Sequence, residues 1–242
     1  TGADGVFSKI RQQLFSKTEL NYSGNFAWRG LADASKINCP LILKNNLIWI
    51  GPKKHAVTTI LKNGSLINFV GIVEKPAENK KGMSSDNQLS ALEDFKGWHK
   101  ELITILNSAK SIHRWPIYSA QPFKKWSDGK VILIGDAAHP MVPFLGQGAC
   151  IAIEDAYTFG YLCHELKCEF DKVQKLYQLL RIKRNNKIQK MSVNQGKLNH
   201  LKNPFLVFLR NQLMKKTDIV SKRLKTIHDY DVHEETVMSL TD

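Results

Sequence analysis

The sequence has 242 residues, a net charge of +13 at pH 7 and an apolar fraction of 43%. A chain of this length and composition forms one large or two small globular domains. It contains no apolar run of about 18 residues, which excludes a membrane-spanning helix. Its lysines are spread along the chain without an arginine-rich arm. We therefore expect a solvated basic surface and no nucleic-acid partner, and weak peripheral contact with an acidic membrane stays open.

The first part of the chain predicts a short helix followed by antiparallel sheet. Residues 1–20 are typical of a turn and a short helix that Ser8 caps. An Asn-Gly pair at 63–64 separates two β-rich runs and is a strong hairpin signal. Four runs predict strands: 26–30, 47–51, 55–61 and 66–73. We therefore predict antiparallel sheet over residues 25–75.

The rest of the chain predicts mainly helices. Residues 75–87 are polar and predict an exposed loop, and residues 112–118 predict a further strand. The continuous apolar run 131–134 suits a strand buried on both faces, as in a parallel sheet. Helical spacing predicts helices over 92–106 with a break at Gly97, from Gly148 onward, over 171–195 and over 204–227.

The cysteines predict neither a metal site nor a disulfide framework. Four cysteines occur, at Cys39, Cys150, Cys163 and Cys168, without a C-x-x-C pair and without a histidine at zinc-ligand spacing. We therefore expect reduced thiols, a cytoplasmic protein and no bound metal.

Residues 131–160 carry the strongest chemical signal. A buried strand ends at Gly135-Asp136, a loop rich in glycine and proline follows, and a helix begins near Gly148. This order places a carboxylate beside the positive end of a helix, which can hold a phosphate or an electron-rich ring edge. Gly146 and Gly148 allow the backbone to approach a flat ligand closely. From these residues alone, a ligand site and a plain strand-loop-helix connection both remain open.

Two motifs resemble those of the flavoprotein aromatic hydroxylases, in particular the salicylate-hydroxylase-like members. The string G-D-A-A-H-P-x-x-P-x-x-G-Q-G at 135–148, followed by an I-E-D-A helix, is similar to that family's second FAD-binding motif. The string G-A-D-G-x-x-S-x-x-R at 2–11 resembles its Asp-Gly motif. Shorter similarities lie at Ala27–Gly30, at Gly51–His55 and at Arg114–Tyr118. The resemblance therefore spans nearly the whole chain.

The resemblance implies a role for each motif residue. Asp136 would bind the ribityl chain of FAD, and the helix after Gly148 would direct its dipole at the flavin ring. Asp4 and Arg11 would contribute to binding of FAD and the nicotinamide cofactor. The loop residues expected to line the isoalloxazine ring are Pro143, Gly146, Gln147 and Gly148.

The resemblance also predicts the fold class, a mixed α/β (α+β) fold that is the C-terminal portion of a two-domain FAD-binding monooxygenase. Its expected parts are the end of an FAD-binding domain (1–20), a β-sheet substrate domain (21–120), a return to the FAD-binding domain (121–168) and a C-terminal helical region (169–242). The N-terminal βαβ unit with G-x-G-x-x-G is missing from the sequence, which begins at Thr1 without an initiator methionine. We therefore expect a fragment that alone binds FAD weakly or not at all.

The implied chemistry is hydroxylation of a small aromatic or phenolic substrate with O₂ and NADH or NADPH, through a flavin C4a-hydroperoxide. His55 is the candidate general base, since a phenol reacts faster as its phenolate. A histidine at a strand edge without a catalytic task is the alternative, and Thr59 stands where some relatives carry tyrosine. Two other functions stay open: oxidation of a larger hydrophobe such as a quinone precursor, and a non-catalytic remnant or basic binding module of the same fold. The substrate, the choice of nicotinamide cofactor and the oligomeric state are not determined by the sequence.

Overall fold

The computed structural model of the chain describes residues 1–15, 19–76, 84–85 and 88–241. It combines helices with antiparallel sheet, which is the predicted fold class. Most of the predicted loop 75–87 lies outside the described residues. The strands are β1 (Leu20–Asp33), β2 (Leu47–Gly51), β3 (Lys54–Leu61), β4 (Leu66–Glu74), β5 (Ser84–Ser85), β6 (Ala109–Ala120), β7 (Ser127–Asp128) and β8 (Val131–Ile132). The helices are α1 (Lys9–Leu14), α2 (Pro40–Lys44), α3 (Gln88–Asp94), α4 (Lys100–Ser108), α5 (Gly148–Glu165), α6 (Phe170–Asn199), α7 (Pro204–Lys216), α8 (Ile219–His228) and α9 (Val232–Met238).

The chain divides into two compact units, neither of which is continuous in sequence. The sheet unit comprises residues 22–117 and 197–207, and the motif unit comprises residues 1–21, 118–196 and 208–242. The C-terminal helices therefore form no unit of their own. Most of them belong to the motif unit, while the segment 197–207 belongs to the sheet unit.

The sheet unit is built on a six-stranded sheet with the order β2-β3-β4-β1-β6-β5, in which β2–β3, β3–β4, β4–β1 and β6–β5 pair antiparallel. Phe26 and Trp28 of β1 are buried in a core that also contains Phe95, just after α3, and Leu102 of α4. The hairpin that Asn63-Gly64 predicts is present, with Leu61 paired to Leu66 across it. The register of β3 places His55 opposite Ile72 of β4.

The motif unit packs α5 and α6 against the segment that carries β7 and β8. Its core contains Trp126, Leu133, Leu162 and Tyr177, each almost fully buried. The apolar run 131–134 pairs in two directions. Its first two residues, β8, pair antiparallel with β7, whereas Leu133 forms a parallel bridge with Gly2. The predicted parallel pairing is therefore present as a single bridge.

No helix among the described residues is both long enough and apolar enough to cross a bilayer.

Candidate functional site

The first motif, residues 2–11, forms a turn that caps helix α1. The Asp4 carboxylate accepts hydrogen bonds from the backbone N–H groups of Lys9 (2.8 Å) and Ile10 (3.2 Å), and from the hydroxyl of Ser8. Ser8 in turn accepts from the N–H of Arg11 at 2.9 Å, which confirms it as the helix cap. Burial alone would raise the pKa of Asp4, but these hydrogen bonds hold that pKa below its usual value. Asp4 therefore carries a negative charge at neutral pH and stabilises the start of α1.

Arg11 connects the first motif to the second motif, residues 135–148. Its side chain is 1% exposed. One terminal nitrogen donates to the carbonyl oxygens of Asp136 (3.3 Å) and Ala137 (2.9 Å), and the other donates to the carbonyl oxygen of Val6. The guanidinium group therefore fixes the turn at 136–137 through hydrogen bonds to its backbone carbonyl oxygens.

A backbone bridge places the two motifs side by side. The N–H of Gly2 donates to the carbonyl oxygen of Ile132 at 2.7 Å, and the N–H of Ile134 donates to the carbonyl oxygen of Gly2 at 3.0 Å. A Cβ atom at position 2 would lie only 2.9 Å from Leu133, so glycine permits this approach. The structure thus brings together residues that are more than 120 positions apart in sequence.

The second motif presents a carboxylate beside the start of a long helix. Asp136 lies in a tight turn over Gly135–Ala137, and its half-buried carboxylate makes no hydrogen bond or ion pair with any residue that the structure describes. A Cβ atom built on Gly148, the first residue of α5, would lie 4.0 Å from Asp136 Oδ1. The N-cap residue of the 18-residue helix α5, Gln147, makes no side-chain cap hydrogen bond, so the first N–H groups of the helix have no cap partner. These N–H groups and the positive dipole end of the helix lie beside the Asp136 carboxylate.

The loop that joins the Gly-Asp turn to α5 has an open outer surface. Pro143 and Gly146 are exposed, and Gln147 and Gly148 are half-buried. Gly146 has a φ of +65°, and a Cβ atom there would contact nothing within 4 Å. A flat ligand with an electron-rich edge and several hydroxyl groups fits this arrangement. The carboxylate accepts from hydroxyl groups, the helix start donates, and the glycines leave the backbone accessible.

His55 belongs to the sheet unit. The seven predicted cofactor residues all belong to the motif unit. Its imidazole is 2% exposed, and its Nδ1 lies 2.7 Å from Nε2 of His200. Burial, followed by the proximity of His200, lowers the pKa of His55 to about 3. Burial also lowers the pKa of His200. At neutral pH both imidazoles are therefore uncharged.

A buried polar network between α5 and α6 was not predicted from the sequence. Asp155 is fully buried and accepts hydrogen bonds from Arg181 Nε (2.8 Å) and Asn185 Nδ2 (3.1 Å). Its neighbour Glu154 pairs with Arg181 at 2.7 Å and with Arg184 at 3.2 Å. Both carboxylates belong to the I-E-D-A string, whose acidic residues therefore stabilise the packing of two helices.

A helix-spacing signal could have located this network. Arg181 and Arg184 lie in a polar helix, where arginines are usually solvated, but they are only 0% and 7% exposed. They occupy the same stripe of α6 as Tyr177 and Ile188, which are buried apolar residues. An arginine at a core position of a helix requires a carboxylate partner, because an unpaired charge is rarely buried.

His139 and Trp28 each have a structural partner. His139 is buried, and its Nε2 lies 2.5 Å from Asp155 Oδ2 on α5. Trp28 packs in the sheet core and donates from Nε1 to Asp94 at 2.8 Å. Arg29 is exposed on β1. Among the described residues, no group of three potential metal ligands converges, and the four cysteines are free thiols.

A family match and the similarity to curated proteins both relate this chain to FAD-dependent enzymes or their domains. A family described as an FAD binding domain matches residues 1–169. A 3-hydroxybenzoate 6-hydroxylase of Klebsiella oxytoca is 30% identical, over 82% of this chain and 50% of its own length. An aurachin C monooxygenase/isomerase of Stigmatella aurantiaca is 31% identical, over 88% of this chain and 55% of its own length.

A solved structure shows the same similarity in three dimensions. A salicylate hydroxylase in complex with its substrate superimposes with a TM-score of 0.84 and 26% identity, and the match covers 98% of this chain and 62% of that one. The chain therefore spans about half the length of the curated relatives that it matches.

Proposed function

Because the chain belongs to the family of FAD binding domains, we propose that it is the portion of a flavin monooxygenase that binds the ribityl and ring end of FAD and contributes to hydroxylation of an aromatic substrate. One observation carries this proposal. The Asp136 carboxylate, which makes no hydrogen bond or ion pair with a described residue, lies beside the uncapped start of α5. The similar proteins named as a hydroxybenzoate hydroxylase and a salicylate hydroxylase support the class of reaction.

In this proposal each motif residue has a defined task. Asp136 accepts hydrogen bonds from ribityl hydroxyl groups, and the loop Pro143–Gly148 faces the flat ring. The N–H groups at the start of α5 stabilise negative charge at the ring edge. Asp4 and Arg11 are positioning residues: Asp4 fixes α1, and Arg11 fixes the backbone of the Gly-Asp turn. When bound, FAD supplies the redox chemistry, accepting hydride from NADH or NADPH and activating O₂.

We propose that His55 acts on the hydroxyl group of the substrate. The neutral imidazole can accept a hydrogen bond at any physiological pH, and a pKa of about 3 makes it a weak base. Its contribution is therefore expected to be orientation of the hydroxyl group and partial polarisation of the O–H bond. The preference for a phenol, an aromatic acid or a larger ring as substrate depends on residues of the complete enzyme.

The first experiment measures FAD affinity. Asp136→Ala is expected to weaken FAD binding about ten- to hundredfold, since a hydrogen bond to a charged group contributes about 1.5–3 kcal/mol. Asp128→Ala is a matched control, because this carboxylate also lies in the motif unit but pairs with Lys125. Isothermal titration of FAD into the flavin-free complete enzyme and its two variants gives the dissociation constants. Equal affinities for all three proteins would remove Asp136 from the cofactor site.

The second experiment separates two half-reactions of the holoenzyme. His55→Ala is expected to lower the rate of substrate hydroxylation at least about tenfold while leaving the rate of flavin reduction by NAD(P)H within a factor of about two. Stopped-flow absorbance follows the flavin, and product analysis follows hydroxylation. Unchanged hydroxylation would show that His55 is only a packing residue of β3.

A second candidate function is oxidation of a larger hydrophobic substrate at a membrane surface. The observation in its favour is helix α7, which has no buried residue and ends with Lys215 and Lys216. Its exposed apolar side chains are Phe205, Leu206, Phe208, Leu209, Leu213 and Met214. Weak peripheral binding to an anionic bilayer would bring such an enzyme to its substrate. The four free thiols are compatible with a cytoplasmic location in either case.

A further inference from the structure

The Gly-Asp turn is held by a carboxylate that the motif does not identify as functional. Oδ2 of Asp155 accepts a hydrogen bond from the backbone N–H of Gly135 at 3.1 Å and lies 2.5 Å from Nε2 of His139. These two donors flank the turn, one residue before Asp136 and three residues after it. Asp155 itself lies on α5, 20 positions after Gly135, and is fully buried.

This contact controls the orientation of Asp136 because the turn is short and its entry is unusual. Gly135 has a φ of +63°, a conformation that side-chain-bearing residues rarely adopt, and a Cβ atom there would lie 3.2 Å from Ala152 of α5. The hydrogen bond from Gly135 N–H to Asp155 therefore fixes the Ile134–Gly135 peptide, through which the chain enters the turn at Asp136. Arg11 fixes the peptide on the other side, through the carbonyl oxygens of Asp136 and Ala137.

Asp155 is in turn held from α6. Its Oδ1 accepts from Arg181 Nε and Asn185 Nδ2, so both carboxylate oxygens are fully engaged. Although burial raises the pKa of Asp155, its hydrogen bond with His139 and the charges of His139 and Arg181 keep that pKa below its usual value. An ionised carboxylate can accept from four donors at once, which a neutral amide at the same place cannot do.

We propose that Asp155 is a positioning residue for the cofactor, and that it transmits the packing of α6 and α5 to the Asp136 carboxylate through Gly135 and His139. This inference rests on the proposed role of Asp136 in FAD binding. It assigns to Asp155, the second acidic residue of the I-E-D-A string, a function in addition to helix packing.

The test compares two variants of the same buried network. Asp155→Asn replaces one acceptor oxygen by a donor and is expected to weaken FAD binding at least about tenfold. Arg184→Gln is the matched control, because Arg184 pairs with Glu154 and with the carbonyl oxygens of Thr226 and Ile227 but does not reach the turn. It is expected to lower the melting temperature while leaving the FAD dissociation constant unchanged, measured well below both melting temperatures.

A second readout does not require the cofactor. Amide hydrogen exchange at Gly135 in the flavin-free protein is expected to accelerate at least about tenfold in Asp155→Asn, and to stay unchanged in Arg184→Gln. If Asp155→Asn does not fold, His139 provides the test: His139→Leu should weaken FAD binding, and His139→Gln, which keeps an N–H donor, should recover part of the loss.

The outcomes separate the two proposals. If Asp136→Ala binds FAD as tightly as the unmodified enzyme, the proposed function is contradicted. Normal Asp136-dependent FAD binding in Asp155→Asn, or equal weakening by Arg184→Gln, overturns the positioning role of Asp155 and leaves the proposed function intact.

Discussion

At the scale of single residues, the pair His55 and His200 is the most pH-sensitive feature of the sheet unit. Two imidazoles lie 2.7 Å apart, and His55 is almost fully buried. Burial favours the uncharged form of each, and a proton on one ring opposes a proton on the other. The folded state therefore excludes protons that the unfolded chain accepts below its ordinary histidine pKa.

This difference predicts an acid-sensitive sheet unit. Above about pH 6.5, His55 is neutral in both folded and unfolded chains and does not change stability with pH. Between about pH 6.5 and 3, the unfolded chain binds the extra proton, so stability should fall by up to roughly 1.4 kcal/mol per pH unit. His55→Gln should remove the part of this dependence that His55 contributes, which urea unfolding at pH 7.5 and pH 5.0 would measure.

A suitable control is His99→Asn, at a histidine of the same unit. His99 is exposed and accepts a hydrogen bond from the N–H of Glu101 at the start of α4, a task that asparagine can also perform. The variant should keep the full acid dependence. A wild-type protein with equal stability at both pH values would contradict the prediction.

The backbone positions of the candidate site residues, though not their roles, were predictable where the local sequence restricts the conformation. Asp136, Gly146 and Gly148 stand at a strand end, a left-handed turn and a helix start, and each position restricts the residue type. The partners of Asp155 were not predictable in this way. They depend on which stripe of α6 faces α5, and that orientation is a property of tertiary packing.

At the scale of elements, two glycines in helices differ in what their missing side chain permits. Gly160 lies on the exposed side of α5, where an added Cβ atom would contact nothing within 4 Å. Gly196 lies in α6, where an added Cβ atom would overlap the ring of Phe144. Phe144 belongs to the loop between Pro143 and Gly146. The missing side chain of Gly196 therefore leaves room for the Phe144 ring to pack against α6.

The two alanine substitutions are therefore expected to have opposite effects. Gly160→Ala should stabilise the protein by about 0.5–1 kcal/mol, because alanine loses less backbone entropy in a helix. Gly196→Ala should destabilise it by about 1–3 kcal/mol and also weaken FAD binding, because Phe144 and its loop must shift. Chemical unfolding and FAD titration of both variants measure these effects. Retained FAD affinity in Gly196→Ala would show that the Phe144 ring rotates without moving the loop.

The predicted elements agree best with the structure where a local signal marks both ends. Strand β2 and the hairpin of β3 and β4 lie at the predicted residues, because Asn-Gly and the glycine at 51 end the strands. The single helix predicted over 204–227 is instead α7 and α8, separated at Thr217 and Asp218. Helix α2 was not predicted, since its five residues are too few to show a helical period.

At the scale of the whole molecule, the division into units could not be read from the sequence. The chain passes from one unit to the other near residues 21 and 118, close to the start of β1 and the end of β6. The assignment of 197–207 to the sheet unit was not anticipated. Contacts such as the 2.7 Å approach of His200 to His55 join residues 145 positions apart, and no local pattern marks them.

The basic charge of the molecule combines with exposed apolar surface in one segment. Residues 204–228 contain six lysines and arginines and one acidic residue, Asp218. In α7, Phe205 and Phe208 are 67% and 57% exposed, and in α8 Leu224 is 48% exposed. Lysine attracts an anionic leaflet, and aromatic side chains enter the headgroup region, so the two features together favour a lipid surface.

This combination predicts salt-sensitive binding to anionic vesicles. The protein should co-sediment with vesicles of phosphatidylcholine and phosphatidylserine at low salt, and less so at high salt as the charges are screened. The double variant Phe205→Ser and Phe208→Ser should lose at least about tenfold in vesicle affinity, since each buried aromatic side chain contributes roughly 1.5–3 kcal/mol. The control Leu89→Ser with Leu179→Ser removes two side chains that are each 68% exposed, on α3 and α6. Equal binding by both double variants would assign the interaction to the general basic surface, and it would favour a small, water-soluble aromatic substrate over a membrane-bound one.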